Sequence, residues 1–433
     1  MAQRREPAPP PTGPGQAGQF RSRYNKEGSM SDIAQPAAHT ASRPANGLSA
    51  FILRRLLNKL RHGRLTFVLP DGSRLEGQGP LPGPSAVLEL HNTRLFRAAL
   101  LHGEAGFYES YIAGAWSSPD LTALLALAVQ NDTDAGPAGL FAIPARLLSR
   151  LRHAARANTR KGAQRNIMAH YDLGNDFYAA WLDPSMLYSS GMYEDCDDTL
   201  EAAQAAKLAL IADWLEAPRG GAILEIGCGW GALARHLGAA GSVVTGLTIS
   251  PAQLAHAQAV VAGAGLSEWV QLILRDYRDE TGRYDRIVSV EMLEAVGEAY
   301  WPVYFRALRD RLKPGGRAVL QVITMNESRH AAYRRTPDFI QRHIFPGGML
   351  PTKTAIAEQA RAAGLAPGRV RYFGPSYART LADWRARFLA AWPRIEAMGF
   401  DARFRRLWTY YLCYCEAGFA SGRVDVGLYE LGG

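Results

Sequence analysis

The densest run of chemistry-bearing residues in this chain is Leu224-Glu225-Ile226-Gly227-Cys228-Gly229-Trp230-Gly231, which closes a short apolar stretch and opens a helical one. Glycines at such a turn let the backbone approach a ligand with no Cβ in the way. Alone the loop is ambiguous, because Gly227, Gly229 and Ala232 also satisfy the dinucleotide pattern G-x-G-x-x-A. Its surroundings are more telling. Glu225, two residues before the first glycine, offers a carboxylate to an amino group. The next strand ends in Thr248-Ile249-Ser250, where a dinucleotide site wants an acid for the ribose. Arg275-Asp276-Tyr277 then supplies a carboxylate and a ring beside an adenine, and Lys313-Pro314-Gly315-Gly316 makes a turn before the fifth strand.

Those side chains need a frame. From about residue 200 the chain alternates short apolar runs, Ala222–Ile226, Val243–Leu247, Val270–Leu274, Arg286–Val290 and Arg317–Ile323, with helical stretches such as Pro251–Ala262 and Ala299–Leu312. Such alternation predicts an α/β domain with a doubly wound, mostly parallel sheet, and a ligand at the carboxyl ends of its first strands. Upstream, Thr66–Leu69 and Val87–Leu90 read as strands, while Gly106–Tyr111 and Leu121–Val129 read as helical. This makes a small α+β domain over 48–135. Residues 1–47, rich in Pro, Gly, Ala and Ser, read as a disordered tail in which Met30 is an alternative start to Met1. A basic linker helix over 136–165 leads to a large domain over 166–433.

Composition narrows the class. The 433 residues are 47% hydrophobic and 21% charged, which is globular. No apolar run is long enough to cross a bilayer, and the start carries no signal peptide. The four cysteines make neither a disulfide framework nor a zinc pattern, so a reducing, cytoplasmic setting and no metal are expected. The net charge of +9 is uneven: residues 1–65 carry +8, residues 140–165 carry +7, and the remainder carries −6. Basic attachments of this kind face phosphate, of nucleic acid or of an anionic membrane. One of them is amphipathic, with Leu53, Leu56, Leu57 and Leu60 on one side and Arg54, Arg55, Lys59 and Arg61 on the other. Packing on its own domain and contact with a membrane both remain open for it.

Glu225-x-Gly227-x-Gly229-x-Gly231 with its sequel resembles the class I S-adenosylmethionine-dependent methyltransferases, which implies a seven-stranded Rossmann-like sheet. The resemblance sharpens at Asn166–Tyr178, Leu187–Ser190, Gly246–Gln253, Met292–Gly297 and His343–Gly348, which are similar to the signatures of the cyclopropane-fatty-acyl-phospholipid and mycolic acid cyclopropane synthases. Phe388–Pro393, Trp408–Leu412, Gly106–Tyr111 and Gly114–Trp116 resemble the bacterial phospholipid-acting branch, so the likeness runs in order from about residue 60 to the C-terminus. It places the cofactor on Tyr171, Tyr188, Ser189, Glu225, Gly227, Gly229, Gly231, Thr248, Gln253, Asp276 and Tyr277.

The family's reaction, as the resemblance implies it, adds the sulfonium methyl to an alkene of a phospholipid acyl chain and leaves a carbocation. Water must be excluded and a base must take a proton so that a cyclopropane closes. The family holds a bicarbonate as that base. The matching positions are Glu294, Tyr377, Ser190, Gln321 and the backbone of Ile323. Three of these surroundings depart from the pattern: Ser190 replaces a cysteine, Gln321 replaces the bicarbonate-binding histidine, and Ala295 replaces a histidine beside the glutamate. Gln321 can donate a hydrogen bond but cannot carry a proton at neutral pH. Ring closure is therefore the first reading, and loss of a different proton, giving a methylene or methyl-branched chain, is the second. Phe339, Ile344, Phe345, Met349 and Leu350 are candidates to line the acyl pocket. The expected partners are an unsaturated phospholipid and the anionic inner face of the cell membrane, with peripheral attachment; the resemblance leans towards a homodimer. A small-molecule methyltransferase and a non-enzymatic lipid-binding protein are the rivals, and no motif for nucleic acid is present.

Overall fold

The computed structural model describes residues 48–132 and 173–433. The expected tail over 1–47, the basic helix over 136–165 and the site residue Tyr171 lie outside the described residues.

The small domain opens with α1 (Leu48–Leu57), followed by β1 (His62–Val68), β2 (Arg74–Gln78), β3 (Leu81–Leu90), α2 (Arg94–His102), α3 (Glu104–Ile112), β4 (Trp116–Ser117) and α4 (Leu121–Gln130). Its sheet has the order β2-β1-β3-β4, with β1 parallel to β3 and antiparallel to β2. Strand β2 escaped the sequence reading because its residues, Arg-Leu-Glu-Gly-Gln, form a polar edge with no buried member. Helix α1 corrects the expected apolar face. Leu53 and Leu57, four apart, are buried, but Leu56 is 52% exposed and joins Phe51 (60%) and Ile52 (37%) in an outward apolar stripe. Leu60 lies beyond the helix end.

The large domain holds α5 (Leu200–Leu215), β5 (Ala222–Ile226), α6 (Ala232–Ala239), β6 (Val243–Thr248), α7 (Pro251–Gly263), β7 (Val270–Leu274), β8 (Tyr284–Val290), α8 (Trp301–Arg311), β9 (Leu312–Met325), β10 (Ala366–Tyr372), α9 (Gly374–Ala390), α10 (Ala402–Ala420) and β11 (Val424–Gly432). The sheet runs β10-β11-β9-β8-β5-β6-β7, and β11 is antiparallel to both of its neighbours. This is the doubly wound, seven-stranded, mostly parallel sheet that was expected. Strand β5 lies between β6 and β8, so the chain order reverses there and a crevice opens at its carboxyl end. The glycine loop leaves β5 at that point. The expected turn at Lys313–Gly316 falls inside β9, whose pairing with β8 jumps from Leu312 to Arg317 and so accommodates it as an irregularity.

Helices α9 and α10 pack against each other and α10 also packs on α3 and α4, so α10 bridges the two domains. Their core is aromatic: the Phe177 ring lies 5.9 Å from Trp181, 5.1 Å from Phe400 and 5.1 Å from Trp408. Asp132, after α4, accepts from Arg423 and Arg329 of the large domain and locks the junction.

Candidate active site

Three glycines at the end of β5 adopt the left-handed region, with φ of 84° at Gly227, 52° at Gly229 and 88° at Gly231. A Cβ on Gly227 would come within 2.5 Å of Met292 Sδ, whereas one on Gly229 would meet no protein atom within 4 Å. Gly229 therefore fronts open space, as a backbone cradle for a ligand does. The loop is fastened by Leu247, whose carbonyl accepts from Gly227 N (2.9 Å) and Cys228 N (2.8 Å). Beneath it Glu225 is 4% exposed, and its Oε2 meets no partner within the chain. Burial pushes that carboxyl up to about 8. An orphaned buried oxygen beside an open glycine cradle fits a ligand that brings a cationic amino group.

At the end of β6, Thr248 donates to Gln253 Oε1 (3.1 Å), leaving the Gln253 amide nitrogen to serve a ligand hydroxyl. Helix α7 holds Gln253 there: Ser250 caps its N-terminus and Pro251 occupies its first turn. Asp276 differs from a free carboxylate, because Arg278 clamps it through Nε (2.8 Å) and Nη2 (2.5 Å). Tyr277 stands edge-on to Tyr304 at 5.5 Å, and burial pushes its hydroxyl up to about 12. On the opposite wall, Ser189 accepts from Lys207 Nζ at 2.6 Å, and Tyr188 shares a 2.8 Å hydrogen bond with Tyr411. These groups, with the glycine loop, line one cavity.

The remaining expected residues gather where β8 and β9 end. Glu294 Oε1 accepts from the backbone N–H of Ile323, while its Oε2 is shielded and unpartnered. Desolvation, reinforced by the nearby Glu291 charge, pushes the Glu294 carboxyl up to about 8. Tyr377, Gln321 and Ser190 do not converge on Glu294. They converge on Glu291, a residue that the sequence reading passed over. Tyr377 OH donates to Glu291 Oε2 at 2.7 Å, Gln321 Nε2 to Oε1 at 2.8 Å, and the Ser190 backbone N–H to Oε1 at 3.1 Å. Desolvation raises the Glu291 carboxyl, against the lowering effect of these donors and of Lys207.

The bicarbonate expectation needs correction here. The donors that the resemblance assigns to that anion, the Tyr377 hydroxyl, the Gln321 amide and the backbone N–H groups of Ser190 and Ile323, are already engaged by Glu291 and Glu294, so side-chain carboxyls occupy the place of the free anion. The residues present do not fit it.

From this polar end the cavity, about 2030 Å³ in volume, continues between Phe339, Phe345, Met349 and Leu350 to Leu53 and Leu56 of α1. Of the candidate acyl-lining residues, Ile344 lies buried in the core instead. Among the described residues no cluster of metal-ligating side chains occurs.

The reversal of strand order at β5, the open glycine cradle and the orphaned Glu225 together define a class I S-adenosylmethionine-dependent methyltransferase. The chain belongs to the mycolic acid cyclopropane synthetase family, whose model matches residues 158–428. It is 39% identical over 397 residues to the tuberculostearic acid methyltransferase of Mycobacterium tuberculosis, covering 90% of this chain and 92% of that protein. It is 35% identical over 370 residues to the cyclopropane-fatty-acyl-phospholipid synthase of Escherichia coli, covering 83% and 89%. A solved mycolic acid cyclopropane synthase in complex with SAH and CTAB superposes with a TM-score of 0.59 at 32% identity, over 62% of this chain and 98% of that one.

Proposed function

We propose that this enzyme methylates the double bond of an unsaturated acyl chain in a membrane phospholipid. The observation that carries the reading is the single cavity joining the glycine loop, Glu291 and Glu294 to an apolar passage that reaches Leu53 and Leu56. Withdrawing about nine methylenes from a bilayer would cost roughly 7 kcal/mol at about 0.8 each, so an acyl substrate needs such an apolar lining. When bound, S-adenosylmethionine supplies a methyl that the alkene electron pair takes as the carbon–sulfur bond breaks, the bonding pair staying with sulfur.

In this reading the residues of the chain do the rest. Glu225 and the loop amides hold the amino-acid end of the cofactor, and Thr248, Gln253, Asp276 and Tyr277 hold its nucleoside. Glu291 and Glu294 lend negative charge to the wall that faces the cation on the acyl chain. The aromatic walls keep water from trapping that cation as an alcohol. Loss of a proton from the new methyl gives a cyclopropane; loss of a neighbouring proton gives a methylene or branched product. Gln321 in place of an imidazole and the 39% identity to a tuberculostearic acid methyltransferase are the observations that favour the second outcome.

The substrate is reached at an anionic membrane surface, on the cytoplasmic face. Phe51, Ile52 and Leu56 point outward from α1 beside Arg54, Arg55 and Lys59, an arrangement suited to lying on a bilayer. No helix among the described residues is long and apolar enough to cross a membrane. A homodimer belongs to the same reading on family resemblance alone.

The test is incubation with S-adenosylmethionine and vesicles of unsaturated phospholipid, followed by NMR and mass spectrometry of the fatty acids. Cyclopropane ring protons give the first product, and a retained alkene with one added carbon gives the second. No added carbon, under conditions where the cofactor binds, overturns the lipid reading.

A further inference from the structure

We propose that the Glu291 carboxylate is itself the base that removes the proton from the methylated acyl chain, so that the enzyme needs no bicarbonate. This rests on the acyl-methylation reading above. The geometry is that of an anion site filled from within. A glutamate carboxylate and a bicarbonate present the same three-atom O–C–O edge. Here that edge receives the Tyr377 hydroxyl, the Gln321 amide and the Ser190 N–H, three of the groups that the family resemblance assigns to the free anion. Tyr377 and the Ser190 backbone have one proton each to give, and both are given to Glu291. The Ile323 N–H is given to Glu294.

The backbone is bent to achieve this. Glu291 has φ of 52°, one of only three non-glycine residues with positive φ among those described. That conformation is strained for a side-chain-bearing residue and persists where its surroundings over-determine it. Its own N–H is held by Gln321 O at 2.8 Å, so β9 fixes the main chain while the Gln321 side chain fixes the carboxylate. An ionised carboxylate has about four acceptor positions and three are used here, which leaves capacity for one proton. Glu291 also lines the cavity, next to the glycine loop.

The step balances without an outside reagent. A C–H bond of the methylated cation breaks, its electron pair forms the new carbon–carbon bond, and the proton passes to a Glu291 oxygen. The carboxylate becomes a carboxylic acid and the acyl chain becomes neutral. The acid then returns its proton to solvent when the site reopens.

The experiment measures lipid product and S-adenosylhomocysteine together, in buffer stripped of carbon dioxide and in the same buffer with bicarbonate restored. The wild-type rate is expected to be the same in both. Glu291→Gly is the informative variant, because glycine relieves the positive φ and vacates the anion site without disturbing its donors. Its product formation should fall about 100-fold or more, the range general-base removal produces, and should recover on adding formate or bicarbonate. Melting temperature and S-adenosylhomocysteine affinity near wild type establish that the variant is folded. A wild-type rate that falls about tenfold or more on removing bicarbonate overturns the proposal. So does a Glu291→Gly enzyme that keeps nearly full activity with no anion added. Failure of the wild type to add carbon to lipid in either buffer would count against the acyl-methylation reading instead.

Discussion

Loading the cofactor site at slightly acid pH should expel close to one proton, and Glu225 should be its source. Burial holds the Glu225 carboxyl near 8, and its Oε2 has no partner in the chain. At pH 6.5 such a group is more than nine-tenths protonated, while an α-amino group titrating near 8 is almost wholly cationic. A bound ammonium favours the carboxylate, so the complex forms by ionising Glu225. Release should therefore be about 0.9 proton at pH 6.5, and affinity should rise about tenfold per unit between pH 5 and 7. Above pH 8 the gain ends, because Glu225 is already ionised and the ligand loses its charge. Calorimetric titration with S-adenosylhomocysteine, which carries the same amino-acid end, in two buffers of different ionisation enthalpy measures the proton directly. Glu225→Gln should abolish the release and weaken binding by roughly 5- to 30-fold, the difference between a charge-assisted and a neutral hydrogen bond. Equal apparent enthalpies in both buffers for the wild type would refute the reasoning, as would a release that survives in Glu225→Gln.

Three further outcomes are expected. The ligand-free enzyme should lose stability as pH rises from about 5 to 8. Glu225 and Glu294 hold their protons up to about 8 when folded, and Glu291 is raised in the same direction, whereas the unfolded chain releases them near the ordinary carboxyl value. Thermal melts across that range should show the decline, and Glu294→Gln should make it shallower. Gly229→Ala should fold with a loss of about 1–2 kcal/mol from its positive φ yet bind S-adenosylhomocysteine far more weakly, since its Cβ fills the cradle; Gly227→Ala should melt lower because of Met292. Calorimetry and melting temperature separate the two effects. Asp132→Ala should destabilise by about 1–3 kcal/mol in chemical denaturation, because Arg423 loses its carboxylate acceptor at the domain junction and Arg329 keeps only its bond to the Asp132 main-chain carbonyl.

What was legible in the sequence follows from burial. Ala222–Ile226 matches β5 residue for residue, because a central helix-covered parallel strand must be short and apolar, and Val270–Leu274 matches β7, where Val270 and Leu272 are buried although the strand lies at the sheet edge. Strand β10 gave no such signal: Ala-Pro-Gly-Arg-Val-Arg-Tyr is exposed throughout and is held by one neighbour at the sheet edge. The outward turn of Leu56 was equally hidden, since a helix with two apolar stripes has the same composition as one with a single wide stripe. The glycine loop and Thr248 stood out from their places at strand ends, whereas Gln253 and Glu294 were singled out only by the family resemblance. Lys207, buried against Ser189, was not, for it comes from the middle of a helix whose residues are buried on several sides.

Glu291 is the instructive omission. Taken singly, Gln321 looked like a loss, because an amide cannot relay a proton. The pairing of β8 with β9 sets Val290 opposite Gln321 and so brings the next residue, Glu291, against that amide. An acid followed three residues later by Glu294 at one strand end was the available clue, and it gains meaning only with the facing glutamine. An imidazole there could donate or accept according to its tautomer and charge, whereas the amide nitrogen of Gln321 donates at every pH. That suits a partner which must be an anion when the reaction begins. The same logic links both ends of the cavity. Glu225, Glu291 and Glu294 are all raised by burial in the ligand-free chain, and the buried Lys207, which opposes that shift at Glu291, is itself pushed down to about 8. A sulfonium that also carries an ammonium supplies the positive charge that these carboxyls lack. Positive charge on a bound cofactor would favour the ionised form of these carboxyls, the form in which Glu291 can take a proton.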